Sequence, residues 1–208
     1  MEDWEGLAEV LTVEAAHLGG THAVGMWVEL ASLHLDKLNA PGPGEAALRR
    51  VVALDESNVA ARRRLAGLLA GRGERVEAID LLEAAAANLG ADEAAATLRE
   101  AARLAQDLDD KMLELRLMRR AHELVPAQGD DLQRLAEALY LQGSVREALP
   151  MQQALAASVS FHDAPDVAER IWLRLADLGE QIEDEALAES SLRRVVTERP
   201  LNGHAVER

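Results

Sequence analysis

The stretch Leu48-Arg49-Arg50-Val51-Val52 occurs a second time as Leu192-Arg193-Arg194-Val195-Val196. Each copy follows a tryptophan at nearly the same distance. Trp27 precedes the first copy by 21 residues, and Trp172 precedes the second by 20. A pattern that recurs near both ends of a chain indicates an internal repeat. We therefore expect further copies of the same unit between the two.

Small residues recur at a nearly constant interval along the chain. They are Ala31, Ala66, Ala102, Ala136 and Ala176, at spacings of 35, 36, 34 and 40 residues. Twelve residues after the last four of these alanines lie Ala78, Glu114, Ala148 and Ala188. In the first copy the corresponding residue is Gly44, which follows Ala31 by thirteen residues. Large apolar residues follow four positions later at Leu48, Leu82, Met118 and Leu192, whereas Gln152 departs from this rule. Such a period predicts stacked helix hairpins that touch through their small residues.

This spacing resembles the tetratricopeptide repeat, a helix–turn–helix of about 34 residues. That family has an apolar–small pair on the first helix and a small residue on the second, and a proline often closes the unit. The pattern is cleanest at Leu65-Ala66 and Ala78, and Pro126 and Pro200 close two other units. Arginine-rich and alanine-rich second helices alternate, as in the paired-repeat arrays of large bacterial tetratricopeptide proteins. The resemblance implies an all-α, right-handed α-solenoid of antiparallel helix hairpins with about eleven helices.

The repeat predicts one solenoid over residues 1–208. We expect a half-hairpin over 1–20 and then five hairpins, at 21–56, 57–90, 91–126, 127–160 and 163–200. Residues 201–208 match the start of a further, truncated repeat, so the chain is expected to be a piece of a longer array. The predicted helices are 3–18, 22–38, 44–55, 58–71, 75–89, 91–107, 110–124, 129–142, 145–159, 164–181 and 184–198. Pro41-Gly-Pro-Gly44 is expected to break the first hairpin.

Composition narrows the class of function. Hydrophobic residues make up 49% of the chain but aromatic residues only 2%, so alanine, leucine and valine must fill the interior. The formal net charge of −15 disfavours nucleic acid and anionic membranes as partners. No run of about 18 apolar residues is present, so membrane insertion is not expected. The first residues lack the features of a signal peptide, which favours the cytoplasm unless a signal lies outside this sequence.

Motifs for catalysis or metal binding are not found. Cysteine is absent, which excludes disulfides, zinc–thiolate sites and thiol nucleophiles. The six histidines form no metal-binding spacing, and no phosphate loop or nucleophile elbow occurs. The acidic run Asp107-Leu108-Asp109-Asp110 lacks the glycine of a calcium loop and is expected to cap a helix. We therefore expect no catalytic residue, no metal, no cofactor and no enzymatic activity.

The resemblance also implies a binding groove, lined by the first helix of each hairpin. The family's groove positions fall here on Arg63, Arg99, Arg103, Gln133, Tyr140 and Arg170. Arginine binds carboxylates through paired donors, so an acidic segment of a partner is expected. The alternative is that these arginines pair with acidic residues across the groove. The lysine–asparagine clamp that some members use to bind a C-terminal carboxylate is not reproduced.

Tetratricopeptide proteins are chiefly scaffolds, and this gives the expected function. We expect a noncatalytic scaffold for protein–protein interaction that holds a partner segment in its concave groove. Two alternatives stay open. The array could instead self-associate or act as a structural spacer, or it could be the regulatory repeat region of a larger multidomain protein or enzyme.

Overall fold

The computed structural model describes residues 3–199, and in this range the chain forms eleven α-helices and no strand. This confirms the predicted all-α class of helix hairpins. The helices are α1 Trp4–His17, α2 Gly20–Ser32, α3 Pro41–Leu54, α4 Val59–Gly71, α5 Arg75–Ala86, α6 Ala91–Asp107, α7 Lys111–Leu124, α8 Gly129–Gln142, α9 Val145–Ser158, α10 Pro165–Gln181 and α11 Glu185–Glu198. A π-helical turn, Leu33–Lys37, continues α2. The predicted truncated repeat at 201–208 lies outside the described residues.

The chain divides into two compact units, residues 1–126 and 127–208. Unit 1 contains α1 and the hairpins α2–α3, α4–α5 and α6–α7. Unit 2 contains the hairpins α8–α9 and α10–α11. Within each unit every helix packs on the next one along the chain. We call α2, α4 and α6 of unit 1, and α8 and α10 of unit 2, the inner helices, because each is the first helix of its hairpin.

The repeated small residues lie where helices meet. Ala31, Ala66, Ala102, Ala136 and Ala176 are each no more than 1% exposed. Small side chains let neighbouring helices approach closely while the larger apolar residues, among them Leu48 and Leu82, fill the space beside them. Gln152 occupies the same repeat position as Leu48 and Leu82 and is also buried. In the described part of the chain its Oε1 has no hydrogen-bond partner.

Short polar side chains start several of these helices. Asp3, Asn58, Asp110 and Asp184 each accept a hydrogen bond from a free amide in the first turn. The bond from the Leu113 amide to Asp110 Oδ1 measures 3.0 Å. Asp110, the last residue of the acidic run at 107–110, therefore caps α7, as the sequence predicts, because its carboxylate satisfies an amide that has no partner within the helix. Asp107 is the last residue of α6.

The junction between α2 and α3 differs from the prediction. Helix α3 begins at Pro41, so Pro41-Gly-Pro-Gly44 forms its first turn and does not break the hairpin. Proline is tolerated there because its missing amide would have no partner inside the helix. The first hairpin has one residue more than the others between its two small residues, Ala31 and Gly44. The π turn at Leu33–Lys37 absorbs that residue, since a π turn spans one residue more than an α turn.

Candidate functional site

Two of the three arginines predicted for the groove of unit 1 are exposed. Arg63 lies on α4, and its Nη2 is 3.6 Å from Glu100 Oε2 of α6, with both side chains half exposed. Arg103 lies one turn beyond Glu100 on α6 and is also exposed. Within residues 3–199 its side chain makes neither a hydrogen bond nor an ion pair. Both guanidinium groups therefore retain free donors that face solvent.

Arg99 has a different environment. Its side chain is half-buried, and its Nη2 donates a 2.8 Å hydrogen bond to the backbone carbonyl of Val125, the residue that follows α7. The last carbonyls of a helix have no partner inside it, so this bond satisfies one of them. Arg99 thus ties α6 to the end of α7 and is less available to a ligand than Arg63 or Arg103.

An open depression of about 470 Å³ lies beside Arg63 in unit 1. Its lining comes from the π turn, the start of α3 and α4, and includes Leu35, Gly67 and Leu68. A side chain built on Gly67 would meet no atom within 4 Å, so the surface there is open. Arg64 also lines the depression, but it donates to Ser32 Oγ at 3.0 Å and pairs with Asp36. Arg64 is therefore paired with an acidic residue of a neighbouring element and is not free to bind a ligand.

The inner helices of unit 2 carry a paired polar cluster. The Tyr140 hydroxyl donates to Asp177 Oδ2 at 2.5 Å, and Arg174 Nη2 donates to Glu137 Oε1 at 2.7 Å. The guanidinium carbon of Arg174 is 5.3 Å from the centroid of the Tyr140 ring, a distance at which a cation is attracted to an aromatic face. Predicted groove residue Tyr140 thus joins α8 to α10, with only part of its surface exposed.

The two other predicted groove residues of unit 2 are less constrained. Gln133 on α8 is half-buried and Arg170 on α10 is exposed. In the described part of the chain neither side chain makes a hydrogen bond or an ion pair. Arg170 is the charged residue among the three predicted in this unit, and no neighbour in the described part of the chain pairs with its guanidinium group.

Most arginines on the second helices are engaged by acidic neighbours. Arg49 of α3 donates to Glu45 of its own helix at 2.9 Å, and its two terminal nitrogens contact both carboxylate oxygens of Glu77 on α5. These bonds hold the pKa of Glu77 below its usual value. Arg116 and Arg120 of α7 both pair with Glu83 of α5. The second helices of unit 1 are thus linked by ion pairs.

The three tryptophans are half-buried, and Trp172 packs on core residues. Trp172 is half-buried and packs against the core residues of unit 2, including Ile171 and Leu192. Trp27 is also half-buried, and the centroid of the Trp4 ring lies 5.3 Å from Lys37 Nζ.

Among residues 3–199 no group of three metal-binding side chains comes together. None of the helices described is long and apolar enough to cross a membrane.

Comparison with known proteins places this fold. No protein-family model matches the sequence, and no curated protein matches it. The crystal structure of YrrB, a TPR protein with an unusual peptide-binding site, is 17% identical and aligns over 99% of this chain and 97% of its own, with a TM-score of 0.50. A tetratricopeptide repeat protein from Parabacteroides merdae is 15% identical over 94% of this chain and 73% of its own, with a TM-score of 0.51. The C-terminal part of a TPR repeat-containing protein from Cytophaga hutchinsonii is 13% identical over 93% and 74%, with a TM-score of 0.50. The chain therefore has the tetratricopeptide-repeat fold.

Proposed function

We propose that this tetratricopeptide-fold chain is a noncatalytic scaffold that binds an acidic segment of another protein on the inner helices of unit 1. Arg63 and Arg103 supply the charge, and the open surface at Gly67 supplies the space. In unit 2 we propose Arg170 and Gln133 as contacts of the same kind, taken within that unit alone. Tyr140 and Arg99 then act as supports that hold neighbouring helices in place.

One observation carries the proposal. Arg63 and Arg103 are exposed on neighbouring inner helices, and Arg103 has no partner in the described residues while Arg63 has only a long contact to Glu100. In most of the other ion pairs that join two helices of unit 1, the arginine lies closer to its carboxylate than Arg63 lies to Glu100. Arg49 with Glu77 and Arg116 with Glu83 are examples. An ion pair between exposed side chains contributes only about 0–1 kcal/mol, so an exposed arginine without a strong partner costs little in folding and remains available for binding.

The charge of the whole chain makes this patch selective. The formal net charge is −15, so a segment rich in aspartate or glutamate is repelled by most of the surface. It can approach only where arginines dominate locally. Flat guanidinium groups pair with carboxylates through two parallel hydrogen bonds, which fixes the orientation of the segment as well as its charge. A preformed helical surface also avoids much of the entropy cost of ordering on binding.

Peptide selection followed by titration tests the proposal. Peptides are selected from a displayed random pool on the purified chain, and the enriched sequence is synthesised with a fluorescent label. We expect enrichment in aspartate and glutamate, and an affinity that falls as salt rises. The double variant Arg63→Ala with Arg103→Ala is expected to weaken binding by about tenfold or more, since each tenfold corresponds to about 1.4 kcal/mol.

The matched control is the double variant Arg50→Ala with Arg146→Ala. Arg50 on α3 and Arg146 on α9 are exposed on second helices and their side chains have no partner in the described residues, so their loss removes two charges outside the inner helices. Binding within about twofold of the unchanged chain is expected. If the selected peptide binds the double variant as tightly, and circular dichroism shows an intact fold, the inner arginines do not read the partner. If no peptide is enriched but sedimentation shows self-association, the spacer function replaces the scaffold.

A further inference from the structure

An open cavity of about 710 Å³ lies against α1. Its lining comes from α1, from the π turn and the residues just after it, and from the start of α3. It shares no lining residue with the depression beside Gly67. The volume falls within the roughly 300–1,000 Å³ of sites that hold a drug-sized group, so a large side chain fits. We call this cavity the α1 pocket.

The lining of the α1 pocket is mainly apolar. Ala8 and Val13 of α1 contribute to it, together with Leu38, Ala40 and Pro43. Val13 is 59% exposed, which is high for a valine. Covering such a side chain with another apolar group is favourable because it removes apolar surface from water. The pocket therefore offers a gain to an apolar side chain that enters it.

Carboxylates border this apolar surface. Glu5 and Glu9 lie one turn apart on α1, line the pocket and are exposed. Neither carboxylate makes an ion pair or a hydrogen bond within residues 3–199. The cation on the adjoining π turn, Lys37, is held over the ring of Trp4 with its Nζ 5.3 Å from the centroid. The two carboxylates thus remain open to positive charge from outside.

A third polar group, His34, lines the same pocket. Its Nδ1 is shielded from solvent and has no hydrogen-bond partner in the described part of the chain. The backbone around it is fixed, since the His34 carbonyl accepts a 2.8 Å bond from the Ala40 amide. A buried polar atom without a partner is rare in folded proteins. Because this atom is shielded from solvent, it lies behind the pocket surface, and only the exposed part of the His34 ring can contact an incoming group.

We infer that the α1 pocket is a second docking surface and that it takes a basic segment of another protein. One large apolar side chain of that segment enters the pocket, and a lysine or arginine beside it pairs with Glu5 and Glu9. Charge decides between occupants: an acidic segment, or a second copy of a chain with net charge −15, meets repulsion at these carboxylates. This inference does not rest on the proposed function, because the inner arginines belong to other surfaces.

The test uses the whole chain and a fluorescein-labelled amphipathic peptide of leucine and lysine. Replacing every lysine of the peptide with glutamate, or every leucine with serine, is expected to reduce binding by about tenfold or more. The double variant Glu5→Gln with Glu9→Gln is expected to weaken binding of the leucine–lysine peptide by about tenfold. Val13→Ser is expected to do the same, and it is not expected to unfold a chain in which this side chain is exposed.

The matched control removes the same charge elsewhere. Asp80→Asn with Glu123→Gln changes two exposed acids outside the pocket, and binding within about twofold is expected. Equal weakening by the two double variants would mean that the peptide senses only net charge, and would overturn the inference. So would unchanged binding by Val13→Ser. A concentration-dependent dimer that Val13→Ser abolishes in sedimentation would overturn it too, because a second copy would then be the occupant.

Discussion

Helices α3 and α11 carry the same five residues, yet their arginines are used differently. Arg49 of α3 pairs with Glu45 one turn earlier and also with Glu77 on α5. Arg193 of α11 pairs with Glu189 one turn earlier, and both side chains are at least 70% exposed. The local pair is part of the repeat, whereas the long-range pair depends on what the neighbouring helix presents. A repeated motif therefore specifies its own helix but not its partners.

The inner helices of the two units extend this comparison. In unit 1, Arg63 and Arg103 are left with weak or no partners in the described residues. In unit 2, Glu137 and Asp177 occupy the repeat position of Arg103, one residue after the small alanine, and are tied to Arg174 and Tyr140. Equivalent positions thus serve binding in our proposal for one unit and helix-to-helix support in the other. The three predictions that follow test how far the two units are alike.

The largest effect is expected at the small residues that both units share. Replacing Ala66, Ala102 or Ala136 with leucine adds carbon atoms at positions that are no more than 1% exposed. Each change is expected to lower the free energy of unfolding by about 1–3 kcal/mol, measured by urea denaturation. Ala60→Leu is the control, because Ala60 is exposed on α4 and leucine is nearly as good a helix former. Unchanged stability in all three variants would show that the repeat register is wrong.

A smaller effect of opposite sign is expected at Gln152 in unit 2. Leu48 and Leu82 fill the same repeat position in unit 1, while Gln152 buries an amide oxygen that has no partner in the described residues. Gln152→Leu is expected to raise the free energy of unfolding by about 1 kcal/mol, since an unpaired buried acceptor is removed. Gln153→Leu, at the exposed neighbour, is expected to change it by less than about 0.5 kcal/mol. A loss of stability at Gln152 would mean that the amide is satisfied in solution.

The smallest effect concerns the pair that distinguishes α3 from α11. Glu77→Gln is expected to cost about 0–1 kcal/mol at pH 7, because the pair with Arg49 is close to solvent. Hydrogen bonds from Arg49 lower the pKa of Glu77 below 4.5 in the folded chain. Its contribution is therefore fully present above pH 4.5 and is lost as the pH falls through the lowered pKa.

Denaturation from pH 7 down to pH 3 checks this prediction. The difference between the unchanged chain and Glu77→Gln is expected to shrink on acidification. Glu189→Gln, which removes only a local pair in α11, is expected to have a smaller effect at every pH. A difference for Glu77→Gln that stays constant with pH would show that the carboxylate does not act through its charge.

Much of the fold could be predicted from residue spacing alone. The helix bounds agree with the prediction to within one to three residues at most ends, as at α6, where both ends coincide at 91 and 107. Agreement is poorest at the α2–α3 junction, where the π turn extends α2 and α3 begins at Pro41. The extra residue in this hairpin was visible in the sequence. The sequence does not show that this residue is placed in a π turn, because the placement depends on tertiary packing. Gly44 lies so close to Leu35 of that turn that a Cβ atom on Gly44 would be 2.5 Å from the Leu35 side chain.

The candidate sites were less accessible to sequence reasoning. The repeat register pointed to Arg63, Arg99 and Arg103 together, but it could not show that Arg99 bonds to the Val125 carbonyl. No residue pattern in the sequence predicts the α1 pocket. Its carboxylates, Glu5 and Glu9, are separated in sequence from His34 and Pro43, and no motif links them. Only the spacing of Glu5, Glu9 and Val13 along one helix face was available as a signal.

By itself, the sequence determined the helices, the cap at Asp110 and the small residues at which the helices touch. These features depend on spacing and local chemistry: a small residue every 34 to 36 residues over most of the chain, and a side-chain acceptor before a free amide, as at Asp110. Only the tertiary structure decided which charges are paired. Ion pairs such as Arg49–Glu77 and Arg174–Glu137 join residues 28 and 37 positions apart. Their formation depends on which side chains adjacent helices bring within a few ångströms, and helix periodicity does not encode that distance.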